Sequence, residues 1–416
     1  MSPVLPPSRL FYGWIVVLAA FAVTFVGFGS VYTFSAFLEP LQRDFDASRG
    51  SVSLVFSLAG FLYFGMGVIS GPLADRWGAR PLVIVGMLLV GVGFVLASAA
   101  QTLLEVYLAY GLGIGLGVGC AYVPAVAVVQ RWFVKRRGFA SGLAVSGIGV
   151  GTLVMPPLAA WLIETVGWRG AYLVLGGLTA VIGVGMSLFI ANDPRDKGTG
   201  PDGAVVDMDA PLVPLAGASV GEAVKSPQFA CLYIACLISS FGVFVPFVHL
   251  VPYALDHQVS PSSAVLLIGA IGIGSTVARF CLGTIADRMG RQPFLLAMFV
   301  GMAAALGIWA LAAGFWLLAA FAFLFGLFYG GWVAILPAVI MDHFGGRNVS
   351  TILGILYTSA AIGTLVGPSA AGFMFDASGS YLLPILATAV ANLVAAGIAS
   401  LAAKPSATPA AQEHAS

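Results

Sequence analysis

Residues 71–81 read GPLADRWGARP, and residues 283–293 read GTIADRMGRQP, 212 positions later. A second pair of strings repeats at the same separation, because residues 151–156 read GTLVMP and residues 363–368 read GTLVGP. A single match of this kind can arise by chance. Two matches at one separation indicate that the chain consists of two duplicated halves.

The composition is that of a membrane protein. Of 416 residues, 60% are hydrophobic and 8% are charged, and the mean hydropathy is +1.01. A helix that crosses a bilayer core of about 30 Å needs about 20 apolar residues, and it satisfies its own backbone polar groups. We therefore predict an all-α membrane protein with twelve transmembrane helices, six in each half. The predicted spans are residues 12–37, 52–74, 82–99, 103–129, 138–163, 169–191, 229–254, 263–286, 293–312, 315–341, 350–374 and 381–403.

The longest polar break lies between the sixth and seventh spans and divides the chain. We predict an N-terminal six-helix bundle over residues 1–191, a cytoplasmic linker over 192–225 and a C-terminal six-helix bundle over 226–403. Residues 404–416 are rich in Pro, Ala and Ser, which favours a disordered tail.

The positions of Lys and Arg predict the orientation. Cytoplasmic loops carry an excess of these residues. If the N-terminus lies inside, 14 of the 18 Lys and Arg residues fall on the inner side, and Arg43, Arg49 and Arg169 fall on the outer side. We therefore expect both termini in the cytoplasm and a multi-pass protein of the plasma (inner) membrane, in contact with the lipid bilayer.

Several functional classes find no support in the sequence. A net charge of +1 argues against a nucleic-acid partner. Cys120, Cys231, Cys236 and Cys281 fall in predicted spans and show no metal-ligand spacing. Catalytic Ser/His/Asp sets, HExxH and nucleotide-binding motifs are absent from the sequence. We expect no enzyme activity, no metal and no cofactor.

The two repeated loop strings resemble the loop signature of the major facilitator superfamily. This resemblance implies two pseudo-symmetric six-helix bundles, with a substrate site between them near the midplane. Physically, an aspartate at a helix end can meet a neighbouring helix terminus or arginine, and glycine permits the turn. The predicted gating-loop residues are Gly71, Asp75, Arg76, Gly78, Arg80, Gly283, Asp287, Arg288, Gly290 and Arg291.

A narrower resemblance is to the monocarboxylate transporter branch of that superfamily. It is carried by RWFVKRRGFASGLAVSGIGVG at 131–151, GWRGAYLVLGG at 167–177, YGWIVV at 12–17 and VPFVHLVPYA at 245–254. In that branch an arginine of span eight binds the substrate carboxylate. By its position in the span, Arg279 matches this residue.

The chain departs from the branch at three places. The animal members carry an aspartate one turn before the arginine, where this chain has Ser275. They also carry a lysine in span one, and residues 23–38 contain none. The related oxalate/formate exchangers carry a second cation in span eleven, and residues 352–374 contain none. These departures bear on whether this chain relays protons as the animal members do, and on whether it exchanges anions as the oxalate/formate carriers do.

The charge pattern supports the same interpretation of Arg279. An arginine at the centre of a span costs about 2.5–3.5 kcal/mol on the insertion scale. All 17 acidic residues fall in loops or at span ends. Arg279 therefore has no acidic residue within a span to pair with, and a single unpaired cation suits a small monoanion as ligand. A dicarboxylate would leave one charge unpaired. In the alternative interpretation, Arg279 reaches to the inner surface near Asp287, roughly 12 Å along the helix.

His249 is the only histidine within a predicted span, and we interpret it as a candidate for proton coupling because histidine titrates near neutral pH. Alternatively, it is neutral and bonded to a backbone carbonyl freed by Pro246 or Pro252. Its depth differs from that of Arg279 by roughly 15 Å.

Aromatic side chains in spans one, four, seven, ten and eleven are candidates for the cavity wall. A ring with a polar edge suits a small organic acid, with apolar wall for its alkyl part and hydroxyl for its oxygens. The predicted substrate-binding residues beside Arg279 are Tyr32, Tyr122, Tyr253, Phe328, Tyr329 and Tyr357.

The sequence thus predicts a monomeric secondary transporter of a small monocarboxylate, such as lactate or pyruvate, that works by proton symport and alternating access. Two alternatives are an oxalate/formate type of anion exchanger and an exporter of an unrelated amphipathic compound in which Arg279 is structural. A membrane sensor would need a signalling domain, for which the 34-residue linker leaves no room.

Overall fold

A computed structural model describes residues 11–133, 137–204, 217–345 and 348–402. Within these ranges the protein is almost entirely helical. The predicted tail, residues 404–416, and part of the linker lie outside the described residues.

The N-terminal half contains spans one to six. Span one is Tyr12–Tyr32 continued by Phe34–Phe45, span two is Arg49–Gly65 continued by Gly67–Trp77, and span three is Ala79–Ser98. Span four is Leu103–Val106, which continues through the π-helical turn Tyr107–Leu112 into Gly113–Trp132. The last helix of this half is Arg137–Leu178, which continues through the π-helical turn Thr179–Val184 into Gly185–Ser187. The last helix is long enough for two crossings and contains Gly167 at φ 74°, outside the helical region. Span five therefore ends, and span six begins, at Gly167.

The C-terminal half contains spans seven to twelve. Their helices are Pro227–Val243 continued by Val245–Asp256, Pro261–Met289, Arg291–Leu311, Phe315–Phe344, Val349–Ser378 and Leu382–Ser400. Eleven helical segments among the described residues are long and apolar enough to cross a membrane, and one of them covers 49 residues, 139–187. Because Gly167 divides that segment in two, the fold has the twelve predicted crossings.

Span seven is broken where proline prevents a continuous helix. Its second segment begins at Val245, with Pro246 in its first turn. A proline in this position lacks the backbone N–H that a continuous helix would need. The outer part of the span, which carries His249, packs against Phe34–Phe45 of the other half.

The two halves meet along spans two and eleven and along spans five and eight. At the second contact the backbones almost touch. A Cβ atom on Gly149 would lie 1.9 Å from Oγ1 of Thr276, and one on Gly272 would lie 2.6 Å from the carbonyl oxygen of Gly149. Small residues permit this close approach of helices.

The two repeated loops form equivalent turns. Gly78 has φ 84° and Gly290 has φ 92°, a region in which glycine is strongly favoured. Each turn is bonded within its own half, because Arg80 donates to the carbonyl of Leu188 and Arg291 pairs with Asp342 at 2.5 Å.

The remaining predicted loop residues add no described contact between the halves. Arg76 and Arg288 are exposed. The side chains of Asp75 and Asp287, predicted to pair with a helix end or an arginine, lie outside the described residues. Their gating role therefore stays a prediction.

Candidate functional site

Arg279 lies in span eight and reaches across the boundary between the halves. Its Nη1 donates a 3.1 Å hydrogen bond to the carbonyl oxygen of Val145 in span five. Its Nε and Nη2 atoms are buried and have no hydrogen-bond partner. Among the side chains that the structure describes, no carboxylate pairs with it. The guanidinium thus has two nitrogens, Nε and Nη2, whose N–H groups are available to a ligand.

These free N–H groups are energetically unfavourable unless something binds them. A buried donor without a partner costs about 1–3 kcal/mol, and more when it is charged. A carboxylate matches the planar fork of a guanidinium and can accept two bonds from it. The local geometry therefore fits a small anion.

Four of the six predicted aromatic residues interact electrostatically with this guanidinium. Tyr32, Tyr122, Tyr329 and Tyr357 all lie within electrostatic range of Arg279. They come from spans one, four, ten and eleven, so both halves contribute. The hydroxyl oxygens of Tyr32 and Tyr329 are 3.2 Å apart, which joins the halves directly.

Two phenylalanines, neither of them predicted from the sequence, extend the aromatic wall. The ring of Phe28 lies 4.9 Å from that of Tyr122, and the ring of Phe247 stacks on Tyr32 at 4.4 Å. The sequence has 29 phenylalanines, and hydropathy does not separate those that face the site from those that face lipid. The one available signal is that Phe28 precedes Tyr32 by one helical turn, so that both share a face.

A further tyrosine belongs to the same wall. The ring of Tyr63, in span two, lies 5.5 Å from that of Phe28, and its buried hydroxyl has no hydrogen-bond partner. Like the Arg279 nitrogens, it is a polar group available to a ligand.

Two predicted aromatic residues lie elsewhere. The hydroxyl of Tyr253 donates a 2.7 Å bond to the carbonyl of Ala312, and its ring stacks on His257 at 4.1 Å. The ring of Phe328 covers Gly301 of span nine, where a Cβ atom would lie 2.3 Å from it. Both were predicted to line the cavity because of the span in which they lie. In the fold, each lies on a face of its helix that packs elsewhere. We leave both out of the site.

His249 also lies apart from the Arg279 group. It is fully buried, with Nε2 2.7 Å from the carbonyl of Pro368 and Nδ1 3.0 Å from the hydroxyl of Tyr381. The alternative interpretation expected a backbone carbonyl of span seven, freed by Pro246 or Pro252. The carbonyl that His249 binds belongs instead to Pro368 of span eleven.

Ser275 occupies the position one turn before Arg279. It is buried, and span ten packs closely on it, because a Cβ atom on Gly330 would lie 2.7 Å from the Cα of Ser275. Its hydroxyl has no partner. The side chain therefore packs against span ten, and because it is a hydroxyl, this position supplies no carboxylate to Arg279.

Comparison with known proteins assigns the family. The sequence profile of the Major Facilitator Superfamily matches residues 20–305 and 231–415, together almost the whole chain. The chain belongs to the major facilitator superfamily. Within it, the chain is 30% identical over 389 residues to human monocarboxylate transporter 11, an alignment that covers 90% of this chain and 79% of that protein. It is 32% identical to rat monocarboxylate transporter 3, with 93% and 79% covered.

The human monocarboxylate transporter 2 is a similar relative, at 30% identity with 91% of this chain and 83% of that protein covered. These relatives place the chain in the monocarboxylate transporter branch, as the sequence predicted. A solved structure shares the fold: a bacterial homolog of the human lysosomal transporter Spinster, inward-facing and unoccupied, with TM-score 0.72 and 16% identity over 95% of this chain and 98% of that one.

This superfamily member is therefore a multi-pass membrane protein, and its family is one of transporters and not of enzymes. Its fold has the predicted architecture of twelve helices in two six-helix bundles. The site around Arg279 lies between these bundles.

Proposed function

We propose that this protein is a secondary active transporter of a small monocarboxylate of the lactate or pyruvate type. The observation that carries the proposal is Arg279, whose Nε and Nη2 are buried without partners between the two halves. The substrate carboxylate would accept bonds from these two atoms. The substrate would cross by alternating access, as the two halves rock about this site.

The charge balance favours a monoanion over a dianion. The side chains described near Arg279 are tyrosines, which are neutral at physiological pH. One guanidinium and one carboxylate form a neutral pair. A second carboxylate in the same buried site would stay unpaired at a cost of several kcal/mol.

We favour proton symport as the coupling. The protonated acid crosses without moving net charge, so the transported complex stays electroneutral. Either His249 or the bound acid itself would carry the proton. The protein would act as a monomer in the plasma membrane, because a single chain supplies both halves of the site.

Transport by the purified protein in liposomes tests this proposal. Uptake of labelled lactate and pyruvate is measured with and without an inward proton gradient, and with and without an unlabelled carboxylate inside. Uptake that the proton gradient drives in empty liposomes supports symport. Uptake that requires an internal carboxylate and ignores the gradient indicates the exchanger instead.

A panel of carboxylates in a thermal-shift assay separates the remaining alternative. Monocarboxylates should raise the melting temperature of the detergent-purified protein, since a ligand that binds the folded state stabilises it. If no monocarboxylate stabilises the protein and none is taken up, the proposed substrate class is wrong and export of another compound becomes the better explanation.

A further inference from the structure

Arg49 joins the two halves on the side that carries Arg43 and Arg169, which the charge pattern predicts to face outward and which we call the outer side. Its guanidinium holds both carboxylate oxygens of Asp256, at 2.6 and 2.8 Å. Its Nη1 also donates to the hydroxyl of Tyr381 at 3.1 Å. Arg49 begins span two, whereas both partners belong to the C-terminal half.

A second carboxylate strengthens this contact. Asp376 accepts hydrogen bonds from the backbone N–H groups of Arg49, at 3.2 Å, and of Gly50, at 2.9 Å. A carboxylate is favourable at a helix N-terminus, and here it comes from span eleven of the other half. The backbones nearly touch, because a Cβ atom on Gly372 would lie 2.7 Å from the Cα of Gly50.

The other outer arginines bind within their own half. Arg43 pairs with Glu39, and Arg169 pairs with Asp44 at 2.5 Å. The position equivalent to Arg49 in the second half, 212 residues later, is Pro261. The contact of Arg49 with the C-terminal half, which we call the outer lock, thus has no duplicate.

His249 lies directly beneath the outer lock, and its hydrogen bonds have defined directions. The carbonyl of Pro368 can only accept, so Nε2 carries a hydrogen and donates to it. The Oγ of Ser53 in span two lies on the same side of the ring, 3.4 Å from Nε2. In the neutral ring Nδ1 accepts from the hydroxyl of Tyr381, whose oxygen accepts in turn from Arg49.

A proton on Nδ1 would disrupt this chain. The protonated ring donates from both nitrogens, so the hydroxyl hydrogen of Tyr381 would lose its acceptor. The protonated ring would also be a second positive charge, separated from the guanidinium of Arg49 only by the hydroxyl of Tyr381. Among the described residues, the charged groups that act on His249 are Arg49 from span two and Asp376 from span eleven. Its hydrogen-bonded neighbour Tyr381 is the nearest other titratable group, and Asp256, on the same span as His249, acts on Tyr381.

We propose that His249, Tyr381 and Arg49 form a proton-operated gate on the outer side. The neutral histidine completes the hydrogen bonds of the closed lock. A proton on Nδ1 breaks them and favours separation of the outer ends of the two halves. Separation of Ser53 from the ring then opens that face of His249 to water.

Distance measurements between the halves test the gate without any substrate, so the result is independent of the proposed transport function. Spin labels are attached to Gln101→Cys in the N-terminal half and Ala313→Cys in the C-terminal half, both exposed loop positions. The four native cysteines are replaced by alanine. Distances are recorded in lipid nanodiscs between about pH 8 and about pH 5, the window in which histidine ordinarily titrates.

We expect the open population to rise about fivefold as the pH falls, the change that corresponds to the net loss of one hydrogen bond. His249→Gln cannot take up the proton, so its distances should not depend on pH. Tyr381→Phe removes the relay, so it should be more open at high pH and respond weakly. Arg169→Gln, which breaks an ion pair within one half, should respond as the unmodified protein does.

Three results would overturn the gate. The first is an unmodified protein whose distances ignore pH. The second is a full pH response in His249→Gln or, if that variant does not fold, in Tyr381→Phe. The third is a response that Asp256→Asn or Asp376→Asn abolishes while His249→Gln retains it, which would assign the proton to a carboxylate.

Discussion

The proposed selection of a small anion rests on one side chain, Arg279. It is half-buried, one of its nitrogens binds the carbonyl of Val145, and two stay free. A guanidinium in this state has lost water without gaining a full set of partners. Binding a carboxylate would restore the missing bonds, so charge and desolvation both favour the ligand.

Arg279→Gln should reduce monocarboxylate uptake at least about tenfold, because losing one partner of a buried charge pair costs about 2–5 kcal/mol. Arg279→Lys should recover little, since an ammonium lacks the planar fork. Arg43→Gln removes an exposed outer cation and serves as the matched control. Initial rates in liposomes, corrected for reconstituted protein, provide the measurement. Unchanged uptake in Arg279→Gln would exclude the residue from the site.

The boundary between the halves depends on glycine in span five. Because Gly149 has no side chain, span eight packs so close to it that a Cβ atom at position 149 would overlap Thr276. Thr276 lies one turn before Arg279, so this approach helps to bring the guanidinium to the carbonyl of Val145. Gly142 lies in the same helix, but a Cβ atom placed on it would meet nothing within 4 Å. The two glycines therefore differ in what they permit.

Gly149→Val should lower the free energy of unfolding by about 1–3 kcal/mol, the usual cost of overpacking a core, and should also impair transport by separating spans five and eight. Gly142→Val places the same side chain on the same helix in open space and should be far milder. Thermal unfolding in detergent and uptake in liposomes measure the two effects. Equal losses in both variants would show that helix propensity, and not the close contact, is responsible.

Alternating access requires the outer ends of the halves to separate and rejoin. In this structure they are joined, by the outer lock and by hydroxyl pairs farther in. Ser57 of span two and Ser369 of span eleven are hydrogen-bonded at 2.8 Å between their Oγ atoms. This pair offers a direct way to hold the halves together.

The double variant Ser57→Cys with Ser369→Cys should form a disulfide under oxidation, because the two side chains already meet at bonding range. Transport should stop when the disulfide forms and return when a reductant breaks it. Each single variant should transport under both conditions. Undiminished uptake by the fully cross-linked protein would mean that this interface does not open during transport.

Much of the architecture followed from the sequence. The twelve crossings, the duplication and the turns at Gly78 and Gly290 are local properties, set by the hydropathy of about 20 consecutive residues and by backbone freedom at one position. The cation of Arg279, which has no carboxylate partner among the described side chains, also stood out in the sequence, because a cation without an acid in an apolar span is costly wherever the helix lies. A motif resemblance sufficed to place the chain in its branch.

The choice of contacting partners required the folded chain. Hydropathy alone does not show that Phe328 covers Gly301, that Tyr253 binds Ala312, or that Phe28 and Phe247 line the site instead. The outer lock joins Arg49 to Tyr381, 332 positions away, and beneath it His249 binds the carbonyl of Pro368, 119 positions away. Such pairings depend on which faces of distant helices pack together, and that packing is a property of the assembled bundles that no short stretch of sequence carries.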